Sequence, residues 1–492
     1  MNENIALSKL NYVNLKNGQF DSTTVADMGA MFQAMKDDEN GNNIVVHFHG
    51  GLVNEQAGMK TAQKLLCTYQ KADAYPVFFV WEAGLFEVIG HNLKEISQEK
   101  IFKKILTKVT KYALAKLTDD GESRGTSLVL RSEDSVQDAL GKIQDGHIPF
   151  ADFMPNLDSS MLSKTQRKQF VDELKDDGNL DAMVQEIANG LQAPKETKIA
   201  GTRGISTRVS AVTLMSPEVL GPMQKSSDST ARGLFTTARI VKGALSILTK
   251  VLLRFIKGTD HGLHATVVEE ILREFYLANV GEAVWSTMKQ DTADAFGDDL
   301  SKHGGTAFIE ELRKLHAEGK KPRVSLVGHS TGAVYISYFL KKAHEMLPAD
   351  FKFNVVYLAP AVTFKLLAKT INECGDRIAL FRSFGMTDQV EKADQLVPVL
   401  YPHSLLYFVS GVVESEVDMP LVGMERYYAA TGPYVREDII EVKNFLEDRN
   451  ISQIWSITDT TAEEGFRTAS ESHGGFDDDD DTMKSVQAIL RD

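Results

Sequence analysis

The sequence predicts an α/β chain built on a mostly parallel sheet with helices on both faces. Three observations predict it. Short apolar runs of strand length recur at 44–49, 77–81, 324–327, 353–358, 378–384 and 451–457. Helical segments separate them, as a parallel sheet requires, because each crossover must carry the chain back to the starting end of the sheet. The runs are apolar nearly throughout rather than alternating, which is the pattern of strands buried on both faces.

Taken in order, 5–15 supplies an early edge strand or hairpin. The run Ile44-Val45-Val46-His47-Phe48-His49 leads straight into Gly50-Gly51-Leu52, and a helical segment follows at 56–70. After the strand at 77–81 comes an insertion of about two hundred residues, far longer than an ordinary loop and so structured in its own right. The organisation expected is a core of 1–84 and 301–492, split by a mainly helical cap over 85–300. Within the cap, Ile101, Phe102, Ile105, Leu106, Val109, Tyr112 and Ala113 recur at helical spacing among lysines. The stretch 192–232, rich in Ser, Thr, Gly and Lys, reads as a loop or linker, and 267–288 as one buried helix. The segment 234–256 carries Arg239, Lys242, Lys250 and Arg254, no acidic residue, and a strongly apolar face. It reads either as a lid that makes peripheral membrane contact through 234–257 or as a helix that buries its apolar side on the core. Downstream, 403–411 reads as a helix packed near the loop after the 378–384 strand.

The chemistry concentrates in Gly328-His329-Ser330-Thr331-Gly332, between the 324–327 strand and a helix over 333–344. A G-x-S-x-G turn from strand to helix is a nucleophile elbow, so tight that glycines must flank it and the serine hydroxyl stands exposed. Ser330 is the expected nucleophile. The H-G-G loop at 49–51 lets bare backbone approach a reacting carbonyl, so amides of Gly50, Gly51 or Leu52 join that of Thr331 in an oxyanion hole. His473, in a polar loop between the 451–457 strand and a C-terminal helix, is placed to act as general base.

In this order of motifs the chain resembles the α/β-hydrolase superfamily, in particular lipase- and esterase-like members with a GHSTG elbow. The resemblance implies an α/β-hydrolase fold and a triad in the chain order Ser, Asp, His. It also implies an acid after the 378–384 strand, where Asp388 comes first. Asp394 and Glu391 are the alternatives, and Asp394-Gln395-Leu396-Val397-Pro398 carries an ending common after family acids. The implied activity is cleavage of a carboxylic ester through an acyl-enzyme. A peptidase, thioesterase or acyltransferase would use the same machinery, and an interaction protein could keep the scaffold alone. In the family a lid more often enters after the sixth strand, whereas this insertion precedes the elbow.

Composition sets the outer limits. Hydrophobic content of 43% and charged content of 25% are those of a globular chain. A net charge of −14 without a basic cluster argues against a phosphate-binding footprint, so no nucleic-acid partner is expected; the resemblance implies a small-molecule or lipid ester as substrate. The two cysteines, Cys67 and Cys374, lack metal or redox spacing, which points to a reducing, cytoplasmic setting. Neither cofactor nor metal is expected: His47 and His49 form an H-x-H pair without the rest of a ligand set. His329 reads as a packing or tuning position. The acidic run at 477–481 reads as a solvated cap on the last helix.

Overall fold

The computed structural model describes residues 6–51, 54–81, 85–117, 164–176, 213–216, 219, 229–277, 282–398, 400–429 and 432–492. The first strand, β1 (Tyr12–Lys16), turns at Asn17 and Gly18 into β2 (Gln19–Phe20). Both turn residues have positive φ, 50° and 69°, as a tight antiparallel hairpin demands. β3 (Asn43–Phe48), β4 (Tyr75–Trp81), β5 (Arg323–His329), β6 (Phe353–Leu358), β7 (Ile378–Met386) and β8 (Ile454–Ser456) follow. The sheet order is β2-β1-β4-β3-β5-β6-β7-β8, all parallel except β2.

That order positions the site. From β3 the chain crosses to β4 on one side, whereas β5 lies on β3's other side and every later strand is added beyond it. The C-terminal ends of β3 and β5 therefore flank the point where the winding reverses, and the connections leaving them diverge to opposite faces of the sheet. The H-G-G loop leaves β3 and the G-x-S-x-G turn leaves β5.

The pleat sorts side chains between two apolar layers. Val45, Phe78, Val80, Val327 and Val356 face α2 (Glu55–Gln70) and the C-terminal helix α15 (Asp480–Arg491), through residues such as Leu66, Tyr69, Val486 and Leu490. Ile44, Val46, Phe48, Val77, Phe79, Leu326 and Val355 face the opposite layer. There lie α1 (Val25–Asp37), α9 (Gly304–Ala317), α10 (Gly332–Met346) and α11 (Phe364–Cys374), with α14 (Glu437–Asp448) packed on α11.

The described helices of the 85–300 insertion are α3 (Leu85–Gln98), α4 (Lys100–Leu117), α5 (Lys164–Asp176), α6 (Ser229–Lys257), α7 (Leu263–Ile271) and α8 (Glu282–Asp294). Their buried residues join the same apolar cluster as the second sheet face, so core and insertion share one interior. Within the segment expected as one helix over 267–288, α7 runs on into a π-helical turn, Leu272–Tyr276, and α8 covers Glu282–Asp294, while 278–281 lie outside the described residues. Most of 192–232 lies outside the described residues.

α6 buries Ile240, Val241, Ala244, Ile247, Leu248, Val251, Leu252 and Phe255, and packs on α4, α5 and α7. Two of its cations pair with acids of the same insertion, Arg254 in the interior and Lys250 at the surface. Arg254, 5% exposed, pairs with Glu269 at 2.6 Å and Glu270 at 3.4 Å, and Lys250 pairs with Glu274 at 2.6 Å. Among the described residues no helix is long and apolar enough to cross a membrane.

Candidate functional site

β5 ends at His329 and α10 begins at Gly332, so two residues turn the chain. Ser330 takes φ 54°, a left-handed conformation that costs a non-glycine residue about 1–3 kcal/mol and persists only where its surroundings enforce it. The flanking glycines are part of that enforcement. A Cβ on Gly332 would lie 2.2 Å from the Phe48 carbonyl oxygen, and one on Gly328 would lie 2.7 Å from the Gly332 carbonyl carbon. The Ser330 N–H donates to the Leu358 carbonyl at 2.8 Å, and its own carbonyl accepts from Ala361 N–H at 3.0 Å, which ties the elbow to the loop after β6.

His473 opens a 3-10 turn, His473–Gly475, between β8 and α15. Its Nε2 lies 2.9 Å from Ser330 Oγ. Two further hydrogen bonds clamp its main chain: the N–H donates to Asp394 Oδ2 at 2.8 Å, and the carbonyl accepts from His329 Nε2 at 2.9 Å. Ser330 is 2% exposed and His473 3%. Burial, reinforced by the neighbouring His329 charge, pushes the His473 pKa down to about 3, so the ring is neutral and able to accept a proton at neutral pH. Its Nδ1 is buried with no hydrogen-bond partner among the described residues.

The three candidate acids have separate surroundings. Asp388, at the start of α12 (Asp388–Ala393), bonds Tyr407 Oη at 2.5 Å and Lys392 at 2.6 Å. Burial raises its pKa, but Lys392 and Tyr407 outweigh that and hold the carboxyl below its ordinary value. Glu391 is buried against the Ser404 hydroxyl, and desolvation drives its pKa well above the usual carboxylate range. Asp394 caps the C-terminus of α12 and is the candidate in contact with His473, through the main chain. Burial raises its pKa too, against the opposing pull of the His473 N–H.

The H-G-G loop is set by His49, whose ring stacks on Trp81 with centroids 3.8 Å apart. Its Nε2 accepts from Trp81 N–H at 3.1 Å and its Nδ1 lies 2.7 Å from the Gly50 carbonyl, so the proton sits on Nδ1. Gly50 packs against Ser330: a Cβ there would lie 3.3 Å from Ser330 Cβ. The Gly51 N–H donates to Thr331 Oγ1 at 2.6 Å, and Met288 of α8 covers Gly51 so closely that a Cβ would lie 2.2 Å from its sulfur. Leu52 lies outside the described residues. His47 is buried with Nδ1 2.7 Å from Tyr69 Oη. Among the described residues no three His, Cys, Asp or Glu side chains are grouped to hold a metal ion.

Two parts of this region are not what the sequence suggests. Asp477, expected in a solvated acidic cap, is buried with Oδ2 3.5 Å from His329 Nδ1. The helix cap proper is Asp479, which accepts from Thr482 N–H. Behind the acid loop lies a buried polar network. His261 sits between Glu269 at 2.7 Å and Asp418 at 2.9 Å. Tyr401 bonds Glu269 at 2.5 Å, Tyr427 bonds Asp418 at 2.6 Å, and Arg426 reaches Tyr407, the residue on Asp388. These residues lie far apart in the chain, and no local spacing announces them. No family model, curated protein or solved structure matches the chain.

Proposed function

We propose that this protein is a serine hydrolase of the α/β-hydrolase type that cleaves a carboxylic ester with an apolar acyl group through an acyl-enzyme. The observation that carries the proposal is Ser330 Oγ at 2.9 Å from His473 Nε2, on a left-handed elbow at the sheet's switch point. A hydroxyl is a weak nucleophile at its free pKa, and a neutral imidazole within hydrogen-bond reach removes its proton as oxygen attacks. Asp394, already on the His473 main chain, is the carboxylate nearest to complete the triad. It would steady the loop and, by turning towards Nδ1, the imidazolium that forms.

The oxyanion falls to the N–H groups of Thr331 and Gly332, where the elbow turns into α10. Thr331 supplies more than its N–H. Its Oγ1 accepts from Gly51 N–H, which leaves its own hydroxyl proton free to be donated to the developing charge. The apolar acyl preference rests on Met288 over Gly51 and on the apolar packing of the insertion beyond it.

A fluorophosphonate probe and intact-mass measurement test the reading. The wild type should gain one adduct, while Ser330→Ala and His473→Ala should gain none. A folded wild type that stays unmodified, with and without detergent, would rule out a working serine hydrolase.

A further inference from the structure

Four histidines, His47, His49, His329 and His473, gather under the C-terminal ends of β3 and β5, and one buried carboxylate, Asp477, serves them. Their surroundings differ. His49 is neutral by its bonding, with one nitrogen facing a carbonyl and the other an N–H. His473 must accept from Ser330. His329 faces acceptors on both sides, the His473 carbonyl at Nε2 and the Asp477 carboxylate at Nδ1. A ring whose two nitrogens both meet acceptors carries both protons.

We propose that His329, held as an imidazolium by Asp477, is the positioning residue of this site, fixing the main chain of the general base His473 and setting the charge beside it. The inference rests on the hydrolase reading and deepens it. Three contacts define where His473 sits: Ser330 on its ring, Asp394 on its N–H and His329 on its carbonyl. Two of the three are charge-assisted, the stronger class of hydrogen bond. The elbow's own histidine, adjacent in sequence to the nucleophile, thereby couples the position of the base to that of the serine.

The charge matters as well as the bond. The rings of His329 and His473 are 5.7 Å apart between centroids. Facing the pair are Asp477 and Asp478 from the turn before α15, His47 and His49 from β3, and Asp394 from the acid loop. Asp477 and Asp478 favour the cation on His329, which has its pKa raised although burial opposes this, while His47, His49 and His473 all have theirs lowered. The excess proton among the four rings, beyond the one each neutral ring holds, therefore rests on His329, and it disfavours protonation of His473 in the resting protein.

The test compares wild type with His329→Gln, His329→Ala and Asp477→Asn by nuclear magnetic resonance of histidine-labelled protein at pH 7.5 and by the rate of fluorophosphonate modification. Wild type should show an imidazolium signature that disappears in His329→Gln and becomes neutral in Asp477→Asn. The labelling rate should fall about tenfold or more in His329→Ala, the scale that misplacing a catalytic group imposes. His329→Gln, which keeps a donor but loses the charge, should label faster than the alanine variant. Thermal unfolding identifies which variants are folded. Should the alanine variant not fold, Asp477→Asn carries the same test, because loss of the anion neutralises His329 without removing it. A neutral His329 at pH 7.5, or wild-type labelling rates in His329→Ala, would overturn the inference while leaving the hydrolase reading intact. An unmodified wild type would instead defeat the hydrolase reading and this inference with it.

Discussion

At Asp394 and Asp388, six residues apart, surroundings distinguish two carboxylates that a motif cannot separate. Asp388 bonds Lys392 and Tyr407, at the edge of a network that extends to Asp418 and Arg426. Asp394 accepts from the His473 N–H. Asp394→Asn should therefore cut the rate of Ser330 modification by roughly 10²–10⁴-fold, the range seen when a triad loses its acid. Asp388→Asn should leave that rate within a few-fold of wild type and lower stability, because a part-buried carboxylate hydrogen-bonded to Lys392 and Tyr407 loses its charge. Measured labelling rates and melting temperatures distinguish the two, and equal loss of rate in both variants would contradict the assignment. The sequence placed Asp388 first because family order favours the first carboxylate after the strand. The contact that favours Asp394 is a long-range one, 79 residues along the chain, that no local pattern encodes.

The elements that chemistry needs were the legible ones. β3 with its glycine loop, β5 with its elbow and the last loop with His473 show themselves because close backbone approach and a left-handed serine restrict which residues fit. The insertion was less legible because its helices are buried against one another and lack a simple solvent-facing stripe. The apolar pattern over 267–288 does not announce the π-helical turn at Leu272–Tyr276, because α7 before it is buried along its whole length. α8 bears on access. α8 lays Met288 over Gly51 while Trp285 and Lys289 on the same helix bond the buried Glu414, at 2.9 and 2.8 Å. With Ser330 2% exposed, a substrate reaches it only when a covering side chain moves. Met288→Ala should speed fluorophosphonate modification several-fold while costing about 2–5 kcal/mol of stability, as large-to-small changes in a packed site do. An unchanged labelling rate at the same loss of stability would show that α8 does not limit entry.

Across the whole molecule, charge is buried on a scale the composition does not suggest. Arg254, His261 and Glu269 of the insertion join Asp418 and Arg426 of the core, so the two parts of the chain are tied by a buried polar network as well as by apolar contact. Such pairs do little net work for stability but punish any arrangement that separates them. They also resist acid, because Glu269, although burial raises its pKa, is held down at about 2 by His261 and Arg254. Its contribution, present above the unfolded value of 4.5, is lost only as pH falls below that value towards 2. The histidines act earlier. Burial holds His47 and His473 at about 3 and His49 and His264 at about 4, against 6.5 when unfolded. Below pH 6.5 the unfolded chain takes up protons that the folded one refuses, so stability falls as pH falls, until the folded values are reached. Four such groups should together remove about 4 kcal/mol between pH 6.5 and 5.5. His329, with its raised value, returns a part of this by binding its proton in the folded state. Urea unfolding at pH 7.5, 6.5 and 5.5 should thus show a steep loss well above the range where carboxylates titrate. His264→Gln, which alters a ring bonded to the Leu400 carbonyl rather than one at Ser330, should flatten that loss by about a quarter. A stability that holds level to pH 5 would mean that these rings admit protons, or water, that the packed interior is here held to exclude.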